Sequence, residues 1–267
     1  MKITDSAYLE LLNITAGYKS GNRVQNLINN FSAEIGKSVI TGIIGPNGSG
    51  KSTLIRSILG IIPLLNGEII IMGENSKKLS FRKKASMISY VAASDNLPGN
   101  ITVRELVTYG RYPHKSLLSG INKEDKQNIE NALNQMQVKS LADKQISEIS
   151  DGEKQRCMIA RALSQDTPLI VLDEPSAHLD IKNRYELMNF LKIQAENFNK
   201  SIIFSTHDLE IILNHTDQLW IIEEGKISTG MPEELVLNGK INSLVSSDQI
   251  IFDNNLGKFN LPVEKRS

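Results

Sequence analysis

Nine residues near the start of the chain have the types and spacing of a loop that holds nucleotide phosphates. The segment GPNGSGKST fits the pattern G-x-x-x-x-G-K-[ST], follows the apolar run VITGII and precedes the helical run TLIRSILGII. Glycines let such a loop turn tightly, so that successive backbone N–H groups point at phosphate oxygens. We expect Lys51 to reach the β- and γ-phosphates and Ser52 to offer its hydroxyl to Mg²⁺. The predicted nucleotide-binding residues are Gly45, Pro46, Asn47, Gly48, Ser49, Gly50, Lys51, Ser52 and Thr53.

Two later segments end in side chains that could hydrolyse a bound triphosphate. In LIVLDEP, apolar residues predict a buried strand, and Asp173 and Glu174 follow at its carboxyl end, where ligands bind in open α/β sheets. We expect Asp173 to hold Mg²⁺, directly or through water, and Glu174 to act as general base or to orient the attacking water. The run SIIFSTHD predicts another strand, which ends near His207 and could bring its ring to the γ-phosphate. The candidate catalytic residues are therefore Glu174, His207 and Lys51.

These segments need a sheet to position them, and the rest of the chain has the pattern of one. The strand-like runs LIVLD, SIIFST and QLWIIEEG are separated by helical runs over 181–197 and 208–215, which predicts parallel strands joined by crossovers. Residues 8–44 predict a small β-rich region that ends in a buried strand. Residues 101–165 have mostly helical spacing, and 231–267 carry weak strand signals. The predicted fold class is α/β.

The composition excludes several classes of protein. The 30 Lys and Arg residues balance 30 Asp and Glu residues, so the net charge gives no support to nucleic-acid binding. A single cysteine, Cys157, rules out an internal disulfide and favours a reducing compartment. The N-terminal residues lack the features of a secretory signal, and no run reaches the about 20 apolar residues that cross a bilayer. We therefore expect a soluble or peripheral protein.

Several segments, in this order along the chain, resemble those of the ATP-binding cassette family: GPNGSGKST, ISDGEKQR, LIVLDEP, SAHLD and STHD. The resemblance covers nearly the whole chain. It implies one cassette over residues 1–230, with ATP and Mg²⁺ as cofactors and a P-loop core built on a mostly parallel sheet. An N-terminal antiparallel β subdomain and a helical subdomain, inserted at about 94–165, complete the expected fold. Residues 231–267 would form a C-terminal tail.

In this family two cassettes close head-to-tail over two ATP molecules, which implies a role for the segment ISDGEKQR. Ser150, Asp151, Gly152 and Glu153 would lie against the γ-phosphate of ATP held by the other subunit. Gly152 would permit close approach of the backbone, and the following helix would present its N-terminus to the anion. The expected partner is therefore a second copy of the chain, in an isologous interface.

Two more residues match family positions. Asp180, in SAHLD, matches the residue that links the two ATP sites across the dimer interface. Tyr18, in TAGYKSG, matches the aromatic residue that stacks on adenine, although a lone tyrosine after a glycine could also serve in packing.

The chain departs from the family pattern at two places. The family usually has a Mg²⁺-binding glutamine at the position of Ala93, and alanine cannot coordinate a metal. Either water fills that position, or Ser94 or Asp95 substitutes from a shifted loop. The signature segment has Ile149, Asp151 and Glu153 in place of the common L-S-G-G-Q, so Asp151 adds an anion near a phosphate site. We nevertheless expect an active ATPase, because the residues expected to bind and hydrolyse ATP are all present.

The segment ITVRELVTYGRYPH resembles that of importers for iron–siderophore complexes, haem and cobalamin, and the late segment DQIIFDNNLGKF is compatible with that group. This implies two integral-membrane permease subunits as partners, an indirect link to a substrate-binding protein, and a peripheral location at the cytoplasmic face of the inner membrane. Iron chelates are favoured over haem or cobalamin as the cargo, although the sequence of this subunit does not identify the transported compound. The alternative is a soluble cassette ATPase that acts on a cytosolic macromolecular assembly. A small-molecule kinase is a third possibility, but it has no use for ISDGE or SAHLD.

Overall fold

The computed structural model describes residues 7–21, 23–93, 97–115, 120–177, 179–245, 251–253 and 258–260. The strands are β1 (Leu9–Ser20), β2 (Arg23–Ile35), β3 (Ile40–Ile44), β4 (Asn66–Ile71), β5 (Glu74–Asn75), β6 (Ile88–Val91), β7 (Leu169–Asp173), β8 (Ser201–Ser205), β9 (Gln218–Glu223), β10 (Lys226–Gly230), β11 (Ile251–Asp253) and β12 (Lys258–Asn260). The α-helices are α1 (Lys51–Ile58), α2 (Phe81–Ala85), α3 (Val103–Thr108), α4 (Lys123–Gln135), α5 (Asp151–Ser164), α6 (Ile181–Phe198), α7 (Leu209–His215), α8 (Pro232–Leu237) and α9 (Lys240–Val245). Within these described ranges, no helix is both long enough and apolar enough to cross a membrane.

The central sheet confirms the predicted α/β fold with mostly parallel strands. Its order is β10-β9-β3-β8-β7-β6, and every neighbouring pair is parallel except β9 with β10. Every residue of β3, β7 and β8 is buried, as expected for parallel strands covered on both faces. Because these three strands are neighbours and parallel, the segments that follow them meet at one edge of the sheet.

The N-terminal region forms a separate antiparallel sheet with the order β2-β1-β4-β5, which confirms the predicted β-rich region. This sheet packs on the central sheet through a shared apolar cluster that includes Ile14, Phe31 and Trp220. The fully buried Trp220 ring meets the Phe31 ring edge to face, with centroids 5.2 Å apart. The packing of this tryptophan fixes the two sheets against each other.

The helices α3, α4 and α5 contact one another and bury a common apolar surface. Leu106, Leu133 and Met158 contribute one side chain from each helix to this core. A 3₁₀ turn, Tyr109–His114, follows α3 directly, and other short 3₁₀ turns lie at Ser76–Lys78, Lys139–Leu141 and Ile146–Glu148. The helical spacing predicted for this part of the chain is thus confirmed.

The C-terminal segment begins with helices, so the prediction of weak strands is wrong for residues 232–245. Pro232 occupies the first turn of α8, where its fixed φ and missing N–H are tolerated, and Glu233 and Glu234 complement the helix dipole there. The side chain of Leu235 is buried, which attaches α8 to the rest of the chain. The strand signals further along correspond to the antiparallel pair β11 and β12.

Candidate functional site

Residues 45–50 of the segment GPNGSGKST form a tight loop between β3 and α1, at the carboxyl edge of the central sheet, and the last three residues of the segment begin α1. A side chain at Gly45 would place its Cβ 2.5 Å from the Ile222 carbonyl oxygen and 2.7 Å from Ser49 Oγ, so only glycine fits. Gly50 has φ +110°, a left-handed conformation that favours glycine, and it immediately precedes α1. The packing at Gly45 and the backbone conformation at Gly50 therefore require glycine, as the motif predicts.

Lys51, the first residue of α1, is buried against this loop, with 6% of its surface exposed. Its Nζ donates hydrogen bonds to the carbonyl oxygens of Gly45 (2.8 Å) and Pro46 (3.1 Å). Burial lowers the Lys51 pKa, and the negative charges of Glu174 and Asp173 oppose that shift. The Ser49 hydroxyl is also buried, without a hydrogen-bond partner among the described residues. A buried ammonium and an unpaired hydroxyl in one glycine loop fit a phosphate ligand.

Tyr18 lies beside this loop, where its hydroxyl shares a 3.1 Å hydrogen bond with Thr53 Oγ1 at the start of α1. Much of the tyrosine side chain is exposed, so core packing does not account for it. Its stacking on adenine remains a prediction, and its position next to the loop is consistent with that role.

The carboxyl ends of β7 and β8 bring Asp173, Glu174 and His207 together next to Lys51. Asp173 is buried, while His207 Nδ1 lies 3.5 Å from Glu174 Oε2. Glu174 has φ +49°, a left-handed conformation that is uncommon and strained for a residue other than glycine. The structure thus places the predicted metal ligand Asp173, the predicted base Glu174 and His207 at one edge of the sheet.

Ser205 belongs to the same cluster, although it is not among the residues that the motifs predict. Its Oγ donates a 2.6 Å hydrogen bond to Asp173 Oδ1 and accepts a 2.9 Å hydrogen bond from the Glu174 backbone N–H. The register of β7 and β8 pairs Asp173 with Ser205 directly. The sequence offers one signal for it, a hydroxyl residue at the end of the strand-like run SIIFS.

A Mg²⁺ ion is implied by the loop, and the side chains present fit it. Asp173 offers a buried carboxylate that Ser205 already orients, and Ser52 lies in the first turn of α1, which follows the loop. Ala93 follows β6 and offers no ligand atom. Ser94 and Asp95, the predicted substitutes, lie outside the described residues.

The signature segment forms the start of α5, with Ser150 as the N-cap. Ser150 Oγ and the Ser150 backbone N–H each donate a 2.8 Å hydrogen bond to Glu153 Oε2, and these bonds lower the Glu153 pKa. Asp151 forms a 3.0 Å ion pair with Lys154 along the same helix. Gly152, between them, lies in the first turn of α5. Within one chain the Ser150 hydroxyl therefore serves the helix, and contact with phosphate would require it to change partners.

Asp180 caps α6 by accepting 2.8 Å and 2.9 Å hydrogen bonds from the backbone and side-chain N–H groups of Asn183. Its side chain is exposed on the surface of the chain. The predicted link of Asp180 across a dimer interface stays a prediction.

Comparison with known proteins finds one matching family model. The model, described as "ABC transporter", matches residues 28–177. The ferric enterobactin transport ATP-binding protein of Escherichia coli K12 is 33% identical over 241 residues, which cover 90% of this chain and 88% of that protein. A probable siderophore transport system ATP-binding protein of Bacillus subtilis is 32% identical over 221 residues, covering 82% of this chain and 80% of the relative.

Solved structures share the same fold. A nucleotide-free ATP-binding cassette from an ABC transporter superposes with a TM-score of 0.78 at 25% identity, covering 90% of this chain and 98% of the other. A dimeric cassette in a post-hydrolysis state, bound to ADP and phosphate, superposes with a TM-score of 0.76 at 26% identity, covering 84% and 98%.

Proposed function

Because this chain belongs to the ATP-binding cassette transporter family, we propose that it is the ATP-hydrolysing subunit of a membrane importer for iron–siderophore complexes. The observation that carries the proposal is the cluster of Lys51, Asp173, Glu174 and His207 around one phosphate loop. The P-loop cassette fold, the ATPase class and the relation to siderophore importers agree with the predictions from the motifs.

We assign each side chain of this cluster a part in hydrolysis. Backbone N–H groups of the loop and the Lys51 ammonium bind the phosphates of ATP. Glu174 accepts a proton from the water that attacks the γ-phosphorus, and ADP leaves as the bond to its β-phosphate oxygen breaks. His207, 3.5 Å from the Glu174 carboxylate, orients that carboxylate toward the water. Mg²⁺, held by Ser52 and Asp173, would neutralise charge on the phosphate oxygens.

A second copy of the chain would complete each site. Ser150, Asp151, Gly152 and Glu153 would face the ATP of the partner copy, and Asp180 would lie at the interface between the copies. The dimeric cassette that this chain resembles supports the arrangement. ATP would close the dimer, and hydrolysis would reopen it.

The turn Tyr109–His114 offers a surface for a membrane subunit. Tyr109 and Tyr112 are exposed, and their rings lie 5.3 Å apart. Arg111 points inward, where its guanidinium donates hydrogen bonds to Asp125 Oδ1 (3.0 Å) and to the Ser164 carbonyl (2.7 Å). Exposed aromatic side chains on a rigid support are typical of protein interfaces. We place one permease subunit on this turn of each of the two cassettes. The cassettes would then bind peripherally at the cytoplasmic face of the inner membrane.

The cargo class rests on the relatives. Besides the two siderophore proteins above, the relatives include a petrobactin import ATP-binding protein of Bacillus subtilis, 33% identical, and a cobalamin import ATP-binding protein of Halobacterium salinarum, 28% identical. We therefore favour iron–siderophore complexes over cobalamin or haem. The chelate would pass through the permease after delivery by a substrate-binding protein, without touching this chain.

Uptake of radioactive iron bound to siderophores, measured in cells that lack this chain, tests the proposal. Uptake should fall, and the native chain should restore it. The variant Glu174→Gln should fail to restore uptake, since it keeps the side-chain volume but loses the base. Glu196→Gln is the matched control, because Glu196 is an exposed carboxylate on α6, and it should restore uptake fully. Unchanged uptake of every siderophore tested in cells without the chain would contradict the proposed cargo.

A further inference from the structure

Ser205 connects two functional groups of the ATP site, although no motif assigns it a role. It is the last residue of β8, and none of its surface is exposed. Its hydroxyl lies between the side chain of Asp173 and the backbone of Glu174, at 2.6 Å and 2.9 Å. Those two residues are the predicted metal ligand and the predicted general base.

The direction of both hydrogen bonds is fixed by chemistry. The Glu174 backbone N–H can only donate, so the Ser205 oxygen accepts there, and the single hydroxyl hydrogen is left for the Asp173 carboxylate. A hydrogen bond to an ionised carboxylate is short and strong, and bonds in a chain polarise one another. The result is a path of two hydrogen bonds, from the Glu174 N–H to the Ser205 hydroxyl and from that hydroxyl to the Asp173 carboxylate.

This path holds an unfavourable backbone conformation in place. Glu174 has φ +49°, and a side-chain-bearing residue keeps such a conformation only where its surroundings impose it. The Ser205 oxygen is the partner of the Glu174 N–H at this position. Without that acceptor, the peptide between Asp173 and Glu174 can rotate and carry the Glu174 carboxylate away from the bound triphosphate.

We propose that Ser205 is a positioning residue for ATP hydrolysis, which fixes the Asp173 carboxylate and holds the Glu174 backbone so that its side chain faces the attacking water. The proposal rests on the ATPase function and assigns no chemical step to Ser205, whose hydroxyl keeps its proton throughout. Nucleotide affinity should depend on the loop and Lys51 instead, because the Ser205 hydroxyl bonds to Asp173 and to the Glu174 backbone.

Steady-state hydrolysis and ATP affinity of the full chain test this assignment. Ser205→Ala should lower kcat by about 10- to 100-fold, as expected when a reacting group is displaced by a fraction of an ångström to one ångström. ATP affinity measured in EDTA should stay within about twofold, because the phosphate contacts at the loop are untouched. Ser205→Thr, which keeps a hydroxyl, should recover most of the lost kcat.

Ser89→Ala is the matched control. Ser89 is equally buried, in strand β6 at the edge of the same sheet, and its hydroxyl has no hydrogen-bond partner among the described residues. Its replacement should leave kcat unchanged. If Ser205→Ala reduced the yield of folded protein, Ser205→Cys would keep the volume while replacing the hydroxyl with a weak donor, and it should show the same loss of kcat.

A second measurement separates positioning from general destabilisation. With ATP and Mg²⁺, Ser205→Ala should accumulate an ATP-bound dimer in light scattering, as Glu174→Gln should, whereas a merely destabilised chain should not. If Glu174→Gln forms a dimer and Ser205→Ala does not, the inference is wrong. If neither forms a dimer, the proposed closure of two copies is wrong, and the kinetics alone decide the role of Ser205. A kcat within about twofold of the native value, or an equal loss of ATP affinity and kcat, would overturn the inference.

Discussion

At the residue scale, the ATP site concentrates buried charges of both signs. The Lys51 ammonium, which burial disfavours, lies near the carboxylates of Asp173 and Glu174, whose charges oppose the fall in its pKa. A bound triphosphate would add negative charge beside this ammonium and take over its contacts with the loop carbonyls. The same ammonium thus holds the loop together and offers its charge to an anion.

Cys157 carries a thiol, which can be a nucleophile, but it takes no part in the ATP site. It is completely buried on α5, and burial raises its pKa to about 12. The thiol is therefore neutral and inaccessible at the pH of most assays. Iodoacetamide at about pH 8 should leave the folded chain unmodified and label its single cysteine only after unfolding, as read by mass spectrometry. Labelling of the folded chain, or inactivation of the ATPase by the reagent, would contradict this.

The site residues that could be predicted from the sequence are those positioned by residues directly next to them in the chain. Lys51, Asp173 and Glu174 are examples, because the loop or strand that positions each one lies directly beside it. Ser205 could not be predicted, since its role arises from the register of two strands and a contact across 32 positions of the chain. The left-handed backbone of Glu174 has the same origin, because the neighbouring strand supplies its acceptor.

At the element scale, a cluster of buried charges attaches the turn Tyr109–His114 to the helices around it. Asp125, in the first turn of α4, accepts a hydrogen bond from Arg111 and forms an ion pair with Lys115. It also accepts a 2.9 Å hydrogen bond from the Asn122 backbone N–H. This cluster fixes the surface on which the exposed tyrosines lie.

Asp125→Asn should therefore destabilise the chain strongly, because it removes the charge that compensates two buried cations. The free energy of unfolding in urea should fall by about 3 to 5 kcal/mol, the usual cost of breaking a buried ion pair. Asp143→Asn is the control, since Asp143 is almost fully exposed and lies 3.8 Å from Arg104, and it should change stability little. Equal, small effects of both substitutions would show that the cluster does not hold the turn.

The first residues of two helices can be predicted from the sequence, because their capping residues lie only three positions apart. Ser150 with Glu153, and Thr102 with Glu105, form reciprocal capping boxes at the starts of α5 and α3. The C-terminal helices are harder to predict, because α8 and α9 are only six residues each and depend on contacts made at a distance, such as the burial of Leu235. Short elements carry too little periodicity to be distinguished from strands.

At the scale of the whole molecule, the two sheets and the helices α3, α4 and α5 hold together motifs that are far apart in the sequence. The order of the motifs predicts the fold because the parallel strands alternate with helices and place the motif loops at one edge. One chain brings together the phosphate loop, Asp173, Glu174 and His207. Ser150 and Glu153 instead form hydrogen bonds with each other at the start of α5. This is consistent with a function in which they face the ATP of a second copy.

The most direct measurement is to purify the tagged chain from detergent-solubilised native membranes and identify its partners by mass spectrometry. We predict a membrane protein with several spanning helices, in about equal amount to the chain. Replacing both Tyr109 and Tyr112 with alanine should remove that partner while leaving ATP binding intact. Phe198→Ala, which removes an exposed aromatic from α6, should retain the partner. Recovery of the chain only from the soluble fraction, with ribosomal or nucleic-acid-associated proteins, would contradict the role in transport.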